Sequence, residues 1–188
     1  MRSILQGKSV RLSAIDPEEM GKAGSNWNRD SELDRFLDSR AASLLSVKAT
    51  KDYLEKELEK EEAGSFWFSI RRSEDNQLLG EIGLGVVHWN TSDAFVDLSI
   101  GERDLWGKGF GTQAMNLVLE FAFTEVNLCR VTLTVFEYNP RAIRSYEKAG
   151  FRHEGRLRGL LSREGKRWDV LYMGILREEW QEHNKSKA

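Results

Sequence analysis

Apolar residues at Ala114, Leu117, Val118, Phe121 and Ala122 repeat at i, i+3, i+4, i+7 and i+8, the spacing of a single helical face, and predict a helix starting near Gly109. Elsewhere the period drops to two. Phe66, Phe68 and Ile70 alternate with Trp67 and Ser69, the turn-prone Glu74-Asp75-Asn76 follows, and β-type residues continue from Leu78 to Trp89, which reads as a hairpin. After a turn at Asn90–Asp93, Val96, Leu98 and Ile100 share one face of a strand running to Gly101, and Phe95, Asp97 and Ser99 share the other. Arg130 to Phe136 is a further strand, and Asn139-Pro140 reads as an N-cap followed by Pro at the first helical position, opening a helix over Ala142 to Ala149 that Gly150 closes. Phe151–Leu157 and Arg167–Leu176 pair as a last hairpin across Arg163-Glu164-Gly165-Lys166.

The N-terminal third is less regular. A short strand within Ile4–Leu12 precedes Asp16-Pro17-Glu18-Glu19, a helix start with an acidic first turn. Asp30 to Val47 holds Leu33, Phe36, Leu37, Leu44 and Leu45 without a period, leaving a broken helix and a loop both open. Thr50 is expected to cap a solvated surface helix from Lys51 to about Ala63, with Gly64 after it. No repeat or proline-rich linker interrupts the chain, so one domain is expected over residues 1–176. A polar tail, 177–188, follows, helical at first and then frayed. Hairpins first and a strand–helix–strand crossover later imply a mixed sheet of the α+β class.

The 188 residues carry 28 Lys and Arg against 30 Asp and Glu, a net charge of −2, with 40% apolar residues, which excludes a disordered chain and gives no global field for nucleic acid. No apolar run approaches the roughly 18 residues of a membrane span, and Met1–Val10 lacks a basic region followed by an apolar one. A cytoplasmic protein without membrane or nucleic-acid partners is expected. Cys129 stands alone and is expected to pack as a small apolar residue, and His88, His153 and His183 are scattered, so neither a disulfide nor a bound metal is expected.

The unusual stretch is Trp106-Gly107-Lys108-Gly109-Phe110-Gly111-Thr112, placed between a strand and the strongest helix. Alternate glycines let backbone amides approach a ligand, and a helix N-terminus favours negative charge, so the stretch suits a phosphate. A tight turn with nothing bound is the alternative. A nucleoside-triphosphate loop is excluded, because five residues separate Gly101 from Gly107-Lys108 and position 109 is Gly rather than Ser or Thr. A dinucleotide fingerprint is excluded too, because Thr112 stands where its third glycine belongs. There is also no G-x-S-x-G elbow.

With these residues in view the chain resembles the GCN5-related N-acetyltransferases, and within them the ribosomal-protein N-terminal and polyamine branch. The pyrophosphate loop [QR]-x-x-G-x-[GA] falls on Trp106–Gly111, with Trp at the Gln/Arg position; N-x-x-[AS]-x-x-x-Y-x-x-x-G-F falls on Asn139, Ala142, Tyr146, Gly150 and Phe151; and Leu5-x-Gly7-x-x-Val10-x-Leu12 is similar to the branch's first strand. The resemblance implies an acyl-CoA N-acyltransferase fold, with a mixed, mostly antiparallel twisted sheet and helices on both faces. It implies that Leu98, Ser99 and Ile100 bind pantetheine through the backbone. Trp106, Gly107, Lys108, Gly109, Phe110, Gly111 and Thr112 would hold the pyrophosphate of acetyl-CoA, with Asn139 and Arg141 completing the set. Tyr146 would protonate the departing thiolate, for which a phenol of pKa about 10 against a thiol of about 8.5 is suited.

The base that frees the attacking amine is harder to name. Relatives carry glutamates where this chain has Phe95 and Thr134, leaving Glu81 and Asp97, with Glu137 and His88 behind them, each of which also reads as an ordinary strand residue. The acceptor implied is a primary amine: a protein N-terminus is favoured, and a polyamine or small amino compound is the alternative. A non-catalytic acyl-CoA sensor is the second class, and a homodimer stays open because exposed strands invite a partner. The basic run Arg152, Arg156, Arg158, Arg163, Lys166, Arg167 is expected to be a solvated face, with an acidic partner or the 3′-phosphate of CoA as the alternative, and Trp27, Trp67, Trp89 and Trp106 are expected in core or rim, with an acceptor groove as the alternative.

Overall fold

Seven strands form one sheet in the order β1-β2-β3-β4-β5-β7-β6 in a computed structural model that describes residues 3–59, 64–85 and 87–186. They are β1 (Val10–Ser13), β2 (Phe66–Arg72), β3 (Leu78–Leu84), β4 (Asp93–Ile100), β5 (Arg130–Phe136), β6 (Arg152–Arg163) and β7 (Lys166–Leu176). Every neighbouring pair is antiparallel except β4 with β5. The helices are α1 (Pro17–Trp27), α2 (Ser31–Leu37), α3 (Val47–Glu59), α4 (Phe110–Thr124), α5 (Pro140–Ala149) and α6 (Arg177–Lys185).

The apolar stripe of α4 lies on the face formed by Ile70, Ile82, Val96 and Leu98, and Phe121 meets the rings of Phe66 and Phe68 edge-on at 5.2 and 5.4 Å. Burying such rings drives the docking, at about 25 cal/mol per Å² of apolar surface removed from water. α5 packs beside α4. α1 packs on α3 and is tied to the sheet by the ion pair of its Glu19 with Arg71 of β2. α6 seats Trp180 against Phe123 at 5.3 Å. Among the described residues, no helix is long and apolar enough to cross a membrane.

β4 and β5 pair only where Asp93–Phe95 lie beside Arg130–Thr132. Beyond that the strands part, because β5 pairs along its length with β7 while β4 stays with β3. The edge of β4 from Val96 to Ile100 is left open, and that gap positions the site.

Several expectations need correction. The opening segment contributes a strand only at Val10–Ser13; Leu5–Leu12 folds back on itself, with the Leu12 amide donating to the Leu5 carbonyl at 2.8 Å. α3 begins a turn before Thr50, which is buried inside it and donates to the Ser46 carbonyl at 3.1 Å; the capping hydroxyl is that of Ser46, accepting from the Ala49 amide at 3.1 Å. The expected end of that helix lies outside the described residues, and β3 stops at Leu84, short of Trp89. β6 runs on to Arg163, where Glu164 and Gly165, at φ 53° and 69°, make the tight turn of the hairpin. Cys129 is exposed rather than packed.

Candidate active site

The parting of β4 from β5 opens a cleft of about 520 Å³, lined from β3, β4, the loop before α4, and α5. Leu98, Ser99, Ile100, Trp106, Gly107, Gly109, Phe110, Gly111, Thr112, Asn139, Arg141, Tyr146, Glu81 and Asp97 all line it. Lys108 alone of the expected set does not, and is exposed at the loop's rim.

One end of the cleft is built to receive an anion. Gly107 and Gly109 have φ of 74° and 87°, a region that side chains avoid, and a Cβ at either would meet nothing within 4 Å, so the loop's inner surface is bare backbone. Gly109 caps α4 with no side-chain hydrogen bond, which leaves the first amides of the helix pointing outward with the positive end of its dipole. The loop is held from behind. Trp106 Nε1 donates to the Ile100 carbonyl at 2.8 Å, the Arg141 guanidinium lies 3.5 Å over the Trp106 ring, and Thr112 and Ser145 join α4 to α5 through a 2.7 Å hydroxyl contact. Among the described residues no carboxylate is ion-paired to Arg141, and burial lowers its pKa from the usual arginine range. Arg144 and Lys148 also line the cleft. Asn139 is buried and its Oδ1 accepts from the Ala142 amide at 3.1 Å, so it caps α5 and borders the cleft at once. Bare amides, an uncapped helix and three cationic side chains fit a pyrophosphate and its linker.

The other end is acidic. Tyr146 is buried on α5, and burial pushes its phenol up to about 12, with the charge of Asp97 adding and that of Arg141 opposing. Asp97 lies on the accessible floor of the cleft, yet desolvation raises its carboxyl. Glu81, half-buried behind it on β3, is raised by burial and then by the charge of Asp97. Two carboxyls in mutual repulsion share protons more readily than either alone. The remaining base candidates lie elsewhere: His88 sits in an exposed turn beside Asp93, and Glu137 accepts from the Asp169 amide at 2.8 Å. Thr134 lines the cleft, whereas Phe95 meets the Tyr172 ring at 6.5 Å.

A roof over the cleft could not be read from the sequence. α2 supplies Leu33, Phe36 and Leu37, with Phe36 against Trp106 at 6.0 Å and Tyr138 at 5.9 Å. It is tied at its start by ion pairs of Asp30 and Glu32 to Arg103, and at its end by Arg163. Arg163 donates to the Arg35 carbonyl and Tyr138 hydroxyl, both at 2.7 Å, and to the Asp38 and Arg40 carbonyls, both at 3.1 Å. The expected solvated basic face is therefore divided: Arg163 turns inward, Arg156 pairs with Asp169 at 2.9 Å and Arg152 with Glu179 at 2.7 Å. Trp67 and Trp106 line the cleft, whereas Trp89 is an exposed surface ring. The usable signal for α2 was Asp30, whose side chain accepts from the Glu32 amide at 3.0 Å as a cap.

The comparisons agree with this architecture. The family model of the acetyltransferase (GNAT) domain matches residues 9–152. The chain is 32% identical over 175 residues to an uncharacterized prophage-derived N-acetyltransferase, YokL, of Bacillus subtilis, covering 93% of this chain and 94% of that one. It is 30% identical over 161 residues to a probable N-acetyltransferase of the same organism, YjcK, covering 81% and 85%. Among solved structures, a spermidine N-acetyltransferase from Vibrio cholerae in complex with CoA and spermine superposes with a TM-score of 0.79 at 23% identity, over 92% of this chain and 98% of that one. The chain thus belongs to the GNAT acetyltransferase family and is an acetyl-CoA-dependent N-acetyltransferase.

Proposed function

We propose that this enzyme acetylates a primary amine of a cationic alkylamine acceptor of the polyamine class. The observation that carries the reading is that one cleft is lined both by the bare amides before α4 with Arg141, Arg144 and Lys148 and by the carboxyls of Asp97 and Glu81. An ammonium is drawn to the carboxyls and a phosphate to the amides and cations. The Vibrio cholerae neighbour, a spermidine N-acetyltransferase that holds CoA and spermine, supports the same pair of ligand classes. A protein N-terminus, the acceptor favoured from sequence, is not named for any of the relatives above.

Acetyl-CoA supplies the activated acetyl thioester. The loop from Trp106 to Thr112 and the start of α4 bind its pyrophosphate, Arg141 adds charge beside them, and the open edge of β4 at Leu98–Ile100 offers amides and carbonyls to the pantetheine arm. Asp97 takes a proton from the acceptor ammonium, because only the neutral amine carries a lone pair for attack. Tyr146, protonated throughout the neutral range, gives its proton to the departing thiolate.

Calorimetric titration with acetyl-CoA, followed by thiol release with spermidine, spermine, small aminoalcohols and unblocked peptides, tests the reading. Micromolar acetyl-CoA binding and turnover with spermidine or spermine are expected, with peptides slower by at least about tenfold, the scale of one lost charged contact. Faster turnover of a peptide would return the acceptor to a protein N-terminus.

A further inference from the structure

Trp67, Gly83 and Asp97 stand directly opposite one another on β2, β3 and β4. Residues opposed in antiparallel pairs share a face of the sheet. It is the face turned away from α4, because Phe66 and Phe68, the neighbours of Trp67 in sequence, meet the Phe121 ring of α4. Glu81 is two residues from Gly83 along β3 and lies on the same face as Trp67 and Asp97. All three side chains line the cleft.

The indole of Trp67 lies over Gly83, where a Cβ would come within 2.4 Å of its Cδ2 and Cε3 atoms. Glycine inside a strand weakens it and marks a place where another group must come close. Here that group is the ring, which leans from β2 across β3 and so ends about one strand spacing, roughly 4.8 Å, from the column of Asp97. Packing does not explain a ring so placed. Trp67 is 36% exposed, and among the described residues it makes no hydrogen bond, ring pair or cation–π contact. Among the same residues the carboxyls of Glu81 and Asp97 have neither a hydrogen bond nor a cation. An open indole face beside two unpaired carboxyls is the chemistry that holds an alkylammonium: charge is met by the carboxyls, and methylenes and cation by the ring.

We infer that Trp67 determines acceptor specificity: with the reacting amine at Asp97, the next nitrogen of a diamine, three or four methylenes away, sits on the Trp67 indole and against Glu81. The inference rests on the polyamine reading above and on Asp97 as its base. Three or four methylenes hold two nitrogens about 5–6 Å apart at ordinary bond lengths. That length matches the step from the column of Asp97 to the ring over Gly83. The nitrogen on the ring keeps its charge, which the indole face favours, while the one at Asp97 gives up a proton, so the site treats the two amines of one molecule differently. A monoamine leaves the ring and Glu81 unused. A peptide N-terminus brings a carbonyl where the second charge belongs.

The test measures kcat/KM for 1,3-diaminopropane, 1,4-diaminobutane and the monoamine n-butylamine in the full chain and four variants, with acetyl-CoA affinity by calorimetry and melting temperature alongside. Trp67→Leu, which keeps an apolar side chain without a π-face, is expected to lower the diamine-to-monoamine ratio of kcat/KM about tenfold, the scale of a partly desolvated cation–π contact. The loss should fall on the diamine KM, with acetyl-CoA affinity and melting temperature little changed, a split that a packing role would not give. Trp67→Phe keeps a smaller π-face and should recover part of the ratio. Gly83→Ala should act like Trp67→Leu, because its Cβ pushes the ring from its place, and Glu81→Gln should lower the ratio by removing the charge. An unchanged ratio in Trp67→Leu and Glu81→Gln, or a parent enzyme that turns diamines and the monoamine over alike, would overturn the inference and leave amine acetylation standing. A parent enzyme that acetylates peptides and no diamine would remove the polyamine reading and the inference together.

Discussion

Arg141 lies with its guanidinium 3.5 Å above the ring of Trp106, and the indole of Trp106 is anchored to the end of β4 through the Ile100 carbonyl at 2.8 Å. The pair locks α5, the loop and β4 together where the amides proposed to hold the pyrophosphate are presented. The family pattern has Gln or Arg at position 106; here the tryptophan takes over the bracing, and the loop keeps its backbone for the ligand.

Trp106→Ala should therefore weaken acetyl-CoA binding by about tenfold, the combined worth of one neutral hydrogen bond and a partly desolvated cation–π contact. The acceptor KM should move little. Arg141→Lys should give much of the same loss, because a compact ammonium neither stacks on the indole nor spans its width. Calorimetry with CoA reads both; an unchanged dissociation constant in Trp106→Ala would show that the loop holds its shape unaided.

Tyr146→Phe keeps the buried ring beside Phe151, at a centroid distance of 6.1 Å, and removes only the hydroxyl. The expected result is a loss of at least about tenfold in kcat with unchanged CoA affinity, since the phenol acts on the leaving group and not on the phosphates. The pH dependence gives a second check. Burial holds the phenol protonated up to about 12, so kcat should rise as the ammonium and the carboxyls lose their protons and then stay level. A descending limb centred near the free phenol value of about 10 would mean that the phenol titrates unshifted, and one that persists in Tyr146→Phe would mean that Tyr146 is not the acid.

Removing the clasp on α2 should affect the acceptor before it affects the cofactor. Arg163→Ala deletes five hydrogen bonds to the end of α2, the loop after it and Tyr138, freeing Phe36 and Leu37 over the cleft. The acceptor KM should rise about tenfold or more, at about 1 kcal/mol per net hydrogen bond shared between stability and binding, while acetyl-CoA affinity changes less. Lysine at 163 should not rescue it, lacking the fork that reaches several carbonyls at once. Steady-state kinetics with spermidine separates the two constants.

What could be read from the chain beforehand was whatever depended on local spacing. α4 announced itself because Ala114, Leu117, Val118, Phe121 and Ala122 all serve one apolar face, and the loop before it because glycine has few other reasons to recur at every second position. Tyr146 and Asn139 lie on one short helix, so their relation is fixed by its turn. α2 stayed hidden because Leu33, Phe36 and Leu37 face a cleft whose other wall is made by distant residues; Arg163 meets the Arg35 carbonyl across 128 positions. The start of α3 was misplaced because two hydroxyls, Ser46 and Thr50, compete for a capping role and only the fold turns Thr50 inward. Trp67, Gly83 and Asp97 were present as single residues on separate strands, and only the register aligns them.

The carboxyls of Glu81 and Asp97 also set how stability should vary with pH. Burial raises both above their ordinary values of 4.5 and 3.8, and in Glu81 the neighbouring charge adds to it. In this window the folded chain binds more protons than the unfolded one, so the derivative of unfolding free energy with pH is negative. Stability from these two groups is fully present below about pH 4, where both states are protonated, and is lost as pH rises through the folded values. Glu81→Gln keeps the volume and cannot ionise, so its melting temperature should fall less than that of the parent as pH rises through the raised values, and exceed it at neutral pH. Asp30 runs the other way: its hydrogen bond to Arg103 holds it down to about 2, so what it contributes should be lost only as pH falls through that value. Melting curves of the parent, Glu81→Gln and Asp30→Asn across the acid range separate the two slopes. Parallel curves for the parent and Glu81→Gln would mean that the two carboxyls do not strain the cleft.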